Sequence, residues 1–239
     1  MFMSAERYAR IREMLALRQP DLTVCLEEVH KPHNVAAIVR SCDAVGVHQI
    51  HGVWNDKNSM RKGTSMGSQI WVKNNRHDNI GSAVKHLKNA GMQVLVTNLS
   101  QSAVDFRSID YTLPTAIILG QEKDGATQQA IELADTDIVI PMAGMVQSLN
   151  VSVAGALVLY EAQRQRSIAG MYDCARLSES ECQRVLFEGG FPQLCEICIR
   201  KKLPYPQINE LGGIEADEQW WQQMQLSSKA YKKSDVEIL

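Results

Sequence analysis

Residues 115–160 read TAIILGQEKDGATQQAIELADTDIVIPMAGMVQSLNVSVAGALVLY. The stretch opens on the most apolar strand of the chain, Thr115 to Leu119, and turns at Gly120-Gln121-Glu122-Lys123-Asp124-Gly125. A helix is predicted over 127–134 and a strand over Asp137 to Ile140, where Pro141 breaks the pattern. A loop holding Gly144 then leads to Ser148-Leu149-Asn150, and either Ser148 or Asn150 can cap the long, small-residue helix that follows. Strands alternating with helices at this spacing imply a mostly parallel sheet with helices on both faces, because a parallel crossover needs a covering helix. The loop before the last helix leaves backbone N–H and C=O groups outside regular structure. Free backbone groups beside apolar side chains suit a small molecule with a purine and a polar tail, although an ordinary loop with Pro and Gly fits that segment equally well.

The same alternation runs upstream from Asp21. Leu22 to Leu26 reads as a strand, Asn34 to Val45 as a helix with Asn34 as its cap and Gly46 as its stop, and Val47 to Val53 as a second strand. Residues 56–68 are polar and basic and read as a loop or short helix, followed by a strand at Ile70 to Val72. His77 to Ala90 reads as an amphipathic helix with Ile80, Val84 and Leu87 inward, and Met92 to Thr97 as a strand before a polar loop over 98–111. Ligands on parallel sheets sit at the carboxyl ends of strands, and three of those ends are Thr97, Gly120 and Ile140.

The flanks differ in character. Residues 4–19 form a basic amphipathic helix, with Tyr8, Ile11 and Leu15 on one side, Arg7, Arg10 and Arg18 elsewhere on the surface, and Pro20 as its end. Beyond Gly170 the chain carries more charge and no strand pattern. The expected organisation is an N-terminal basic helical extension over 1–20, an α/β domain over 21–162 and a helical C-terminal extension over 163–239 with a disordered tail.

At 239 residues, 45% hydrophobic and 22% charged, the chain has the composition of a globular protein able to bury a core. Its net charge of −2 gives no global attraction to phosphate, so any nucleic-acid contact must come from local patches or a composite dimer surface. The N-terminal residues lack the apolar core of a signal peptide and no run approaches a membrane span, which together point to the cytoplasm. Six cysteines in that compartment are expected as free thiols. Cys195 and Cys198 form a lone CxxC without further paired ligands, so no metal is expected.

Polar residues concentrate in three of these segments. Arg40 follows Asn34 by nearly two turns, over Ala36 and Ala37, which are too small to bury it; an arginine so placed can meet a phosphate with bidentate geometry, or can be an ordinary surface residue. The turn at 119–125 lacks the GxxxxGK[ST] spacing of a phosphate cradle and the dinucleotide fingerprint, which weakens a dehydrogenase. Taken together, NxxAIxR at Asn34 to Arg40, LGQExxG at Leu119 to Gly125 and IPMxGxxxSLNVSVA at Ile140 to Ala154 resemble the three motifs of the SpoU/TrmH branch of the SPOUT RNA 2′-O-methyltransferases. FEGGFP, KKLPYP and the Trp220-Trp221 pair are similar to the flanks of the subfamily that methylates a guanosine ribose in the tRNA D-loop.

That resemblance implies a SPOUT-type sheet with a C-terminal trefoil knot, S-adenosylmethionine as cofactor, tRNA as substrate and a homodimer. The matching cofactor positions are Thr97, Gly120, Ile140 and Leu149, and the matching catalytic positions are Arg40, Asn34, Glu122, Ser148 and Asn150. The family assigns activation of the 2′-hydroxyl to the arginine. A guanidinium gives up its proton only with great reluctance, so base and phosphate clamp both stay open as roles for Arg40. Arg7, Arg10, Arg61, Lys62, Arg200, Lys201 and Lys202 would form the RNA surface. Two alternatives remain: methylation of ribosomal RNA, or RNA binding by a knot without catalysis.

Overall fold

The computed structural model describes residues 2–54 and 70–225. They fall into two compact units, one running from Leu17 to Arg176 and the other joining the segment through Ala16 to the chain from Leu177 on.

The larger unit is built on seven parallel strands: β1 (Leu22–Glu27), β2 (Gln49–Val53), β3 (Lys73–His77), β4 (Gln93–Thr97), β5 (Val104–Asp105), β6 (Thr115–Leu119) and β7 (Thr136–Val139). Their order is β3-β2-β1-β6-β4-β7-β5. Helices α2 (Pro32–Ala44) and α5 (Val151–Ile168) cover one face, and α3 (Ile80–Asn89) and α4 (Gln128–Leu133) the other. Strand periodicity explains the two layers: Ile117 and Leu119 of β6 pack with Ile38, Val39 and Leu159, while Ala116 and Ile118 pack with Val84 and Leu87. Each fully buried aliphatic of this kind contributes roughly 2 kcal/mol relative to exposure. The predicted mostly parallel sheet with helices on both faces is the one observed.

Several element boundaries move. The strand expected at Ile70 to Val72 lies at Lys73–His77, and its side chains are largely exposed because it is an edge strand paired only with β2. His77 therefore belongs to β3, and α3 starts three residues later under a capping box between Asn79 and Ser82. The loop over 98–111 contains the two-residue strand β5. Gly46 behaves as predicted, with φ +81° just after α2, where a Cβ would come within 2.6 Å of the Leu17 carbonyl.

Helix α5 runs without interruption through residues 162 and 163, and the larger unit ends at Arg176. The reason is Arg166. Its side chain is fully buried and its guanidinium donates to the Tyr111 and Leu113 carbonyls, to Gln19 Oε1 and to Asp21 Oδ1 at 2.6 Å, tying the end of α5 to the starts of β1 and β6. Arg18, expected on the surface, is likewise buried and donates to the Val47 carbonyl and to Asp43 Oδ1.

The smaller unit packs α1 (Ala5–Ala16) against α6 (Glu179–Gly190), followed by α7 (Pro192–Lys201), the antiparallel pair β8 (Gln207–Ile208) and β9 (Ile214–Glu215), and α8 (Glu218–Gln225). The hairpin is an addition to the helical extension that was expected. Phe187, Phe191, Tyr205 and Trp220 meet in an aromatic cluster, so the FEGGFP and KKLPYP segments and the first tryptophan build its core. The cysteines of the described residues are free thiols, and among those residues no group of His, Cys, Asp or Glu forms a metal site. No helix is long and apolar enough to cross a membrane among them.

Burial pushes the Asp21 carboxyl up, but hydrogen bonds from Arg176 and Arg166 outweigh it and hold the group below its ordinary value. A depressed carboxyl contributes stability above its unfolded value and loses it as pH falls through the folded one. Asp21→Asn, which leaves buried Arg166 without its counter-charge, is therefore expected to cost on the order of 3 kcal/mol at neutral pH. In urea denaturation the gap from wild type should close on acidification below about pH 4; a gap that persists there would contradict the assignment.

Candidate active site

Strands β6, β4 and β7 are neighbours, so their carboxyl ends lie side by side along one edge of the sheet. A cavity of about 580 Å³ opens there, lined by Thr97, Gly120, Ile140 and Leu149, and also by Glu122, Ser148 and Asn150. Its size suits a ligand larger than a nucleobase alone. The four expected cofactor positions and three of the five expected catalytic positions thus share one wall.

Local chemistry shapes each loop. After β6 the chain folds back on itself, with Gln121 and Gly125 exchanging two backbone hydrogen bonds of 3.0 and 3.1 Å. A Cβ at Gly120 would stand 2.2 Å from the Ala126 nitrogen, and Gly125 sits at φ +73°, so glycine is required at both ends of the pinch. After β7, residues Met142 to Leu149 make no backbone–backbone hydrogen bonds among the described residues, which leaves their amides and carbonyls available to a ligand. After β4, Asp137 accepts hydrogen bonds from the Asn98 side chain at 2.9 Å and from the Ser100 hydroxyl at 2.8 Å, fixing the third loop. No periodicity in the sequence marks Asn98, Ser100 and Asp137; their pairing across β4 and β7 appears only in the fold.

Asn34 joins the three motif segments. It is 1% exposed, and it does not cap α2: Pro32 occupies the first turn and Lys31 is the cap residue, without a side-chain cap bond. Asn34 therefore falls inside the first turn and points its amide to the site. Its Nδ2 donates to Glu122 Oε1 at 2.7 Å, and its Oδ1 accepts from Asn150 Nδ2 at 3.2 Å. Asn150 in turn caps α5, accepting from the Ser152 amide at 2.8 Å. Burial pushes the Glu122 carboxyl up, but the bonds from Asn34 and from the backbone amides of Glu122, Lys31 and His30 hold it below the usual carboxylate range. Glu122 is accordingly ionised at neutral pH and acts as an acceptor.

Arg40 stands apart. It is exposed on α2, does not line the cavity of its own chain, and its side chain has no hydrogen bond or ion pair to another described residue. Of the expected RNA surface, Arg10, Arg200 and Lys202 are exposed, and Arg7 is exposed while donating to the Gly189 carbonyl at 2.7 Å. Lys201 is 2% exposed and its ammonium donates to the Gln223 and Met224 carbonyls at the end of α8, so its charge closes a helix terminus and faces no solvent. Arg61 and Lys62 lie outside the described residues.

Asn34→Ala should remove the shorter of the bonds to Glu122 Oε1, which keeps the Lys31 amide, together with the acceptor of the Asn150 amide. Thermal or urea denaturation is expected to show a loss of about 1–3 kcal/mol, and a change under about 0.5 kcal/mol would mean that the polar chain does not hold the loops.

The model of the SpoU rRNA Methylase family matches residues 21–160, and that of the SpoU rRNA methylase C-terminal region matches 164–217. The tRNA (guanosine(18)-2′-O)-methyltransferase of Escherichia coli (strain K12) is 61% identical over 226 residues, covering 93% of this chain and 99% of that protein. The crystal structure of the A. aeolicus TrmH/SpoU tRNA modifying enzyme superposes with a TM-score of 0.73 at 44% identity, over 79% of this chain and 96% of that one. The SpoU methyltransferase AviRb of Streptomyces viridochromogenes, solved in complex with the cofactor AdoMet, superposes with a TM-score of 0.54 at 31% identity, over 62% of this chain and 59% of that one. With the family model covering the whole sheet and the helices that frame the cavity, the chain belongs to the SpoU methylase family.

Proposed function

We propose that this chain uses S-adenosylmethionine to methylate the ribose 2′-oxygen of a guanosine in the tRNA D-loop, the guanosine numbered 18 in the name of its E. coli relative. The observation that carries this function is the convergence of three separate segments on one cavity through the Glu122–Asn34–Asn150 chain. The identity of 61% over nearly the whole length favours tRNA over ribosomal RNA.

The residues fit the cofactor. Ile140 and Leu149 supply apolar contact for an adenine, and the unbonded amides of the Met142–Leu149 loop supply hydrogen bonds for its edge. When bound, the sulfonium brings a methyl group with a good leaving group, so the protein's task is positioning more than activation. Glu122, ionised and fixed by Asn34, holds the loop that lines the ribose side, while Ser148 and Asn150 set the start of α5. Arg40 meets the RNA, either taking the 2′-hydroxyl proton or clamping the neighbouring phosphate.

The active form is a homodimer. Val153, Leu157 and Tyr160 of α5 are exposed at helical spacing, an apolar face that a second copy would cover, and Arg40 lies on α2, the helix packed against α5. A sedimentation mass of one chain would contradict this. The insertion of β7 between β4 and β5 supports the threaded path of a trefoil knot. Exposed Arg10, Arg200 and Lys202 supply phosphate contacts, without Lys201, and the protein works in the cytoplasm.

Labelled methyl transfer to a tRNA transcript, with cofactor affinity measured by calorimetry, tests the site. Arg40→Ala is expected to lose about a hundredfold or more in transfer rate while binding the cofactor as wild type does. Retention of substantial activity would remove Arg40 from the chemistry.

A further inference from the structure

A buried carboxylate stands beside the end of the Gly120–Gly125 loop, outside the three motifs. Glu27 ends β1 and is 3% exposed. Its Oε2 accepts the Thr127 amide at 2.9 Å and its Oε1 accepts the Thr127 hydroxyl at 2.6 Å. Both oxygens are thus used on one residue. The Thr127 hydroxyl oxygen also accepts the Ala130 amide at 3.2 Å and so caps α4. Thr127 stands two residues beyond Gly125, the far side of the pinched loop whose residues Gly120 to Gly125 line the cavity.

The near end of that loop is set by pairing, since Leu119 lies in register with Leu26, the residue before Glu27. Two consecutive residues of β1 therefore hold both ends of the loop: Leu26 through the sheet, and Glu27 through its side chain. A bidentate, charge-assisted pair at a buried position fixes geometry more tightly than a single neutral bond. We infer that Glu27 is a positioning residue for S-adenosylmethionine, holding the Gly120–Gly125 loop in its binding shape through Thr127.

This inference rests on the proposed function, and its test keeps the two apart. Thr127→Val removes the hydroxyl and leaves Glu27 Oε1 unpartnered; Thr127→Ser restores it. In Thr127→Val, hydrogen exchange at the Gln121 and Gly125 amides should speed up by about tenfold or more. The cofactor KM and calorimetric Kd should rise by about tenfold, with KM for tRNA and kcat at saturating cofactor within about twofold of wild type, and Thr127→Ser should return both readouts. A lowered melting temperature with unchanged exchange and unchanged cofactor KM would overturn the inference, leaving the pair a stabiliser only. If Thr127→Val does not fold, Glu27→Gln, which keeps an acceptor for the amide, is read the same way. A wild-type protein that binds no cofactor would sink the proposed function, while the exchange readout would still decide whether the clamp holds the loop.

Discussion

The buried amide of Asn34 has one donor group and one acceptor oxygen facing the site, and each has a partner from a different segment of the chain: Glu122 takes the donor and Asn150 fills the acceptor. An amide at that depth costs a few kcal/mol if left unpaired, so neither partner can drift without a penalty. Glu122 comes from the loop after β6, and Asn150 from the end of the loop after β7 and the start of α5. One side chain on α2 thus sets the distance between two loops that are separated in sequence. Glutamine in its place would be too long to meet both, and aspartate would repel Glu122.

What Asn34 ties together, the sheet has already brought close. The neighbouring strands β6, β4 and β7 end at one edge, and each hands over to a loop whose shape has its own cause: the Gly120–Gly125 pinch, the Asp137 bonds to Asn98 and Ser100, and the unbonded stretch from Met142 to Leu149. The first two loops are closed by their own hydrogen bonds, and the last offers backbone groups that have no backbone partner among the described residues. A nucleoside with an apolar face and a hydrogen-bonding edge needs both kinds of wall. At the opposite end of α5, buried Arg166 anchors the helix to the starts of β1 and β6, so the helix capped by Asn150 is fixed at each terminus.

Much of this was legible in the sequence, for identifiable reasons. Strands β1 and β6 are buried on both faces and show as continuous apolar runs; Gly46 marks the end of α2 because only glycine enters the left-handed region there without strain. The strand ends Thr97, Gly120 and Ile140 follow from the topology of any parallel sheet. The polar edge strand β3 and the two-residue β5 were not legible, since neither has an apolar pattern to display. Arg18 and Lys201 differ from their sequence reading for a common reason: a long cation reads as surface unless its partners are known. Those partners are Asp43 and the carbonyls closing α8, each remote in sequence. Asn34 was recognised by its motif, but its role was read as a cap, because local spacing cannot show that Pro32 starts the helix first.

The most direct test supplies unmodified tRNA transcript and labelled methyl donor to the purified protein and maps the labelled nucleotide by nuclease digestion. Label on the 2′-oxygen of the D-loop guanosine is the expected result. Label absent from tRNA, whether it appears in ribosomal RNA or nowhere, would contradict the substrate in the first case and the catalytic site itself in the second.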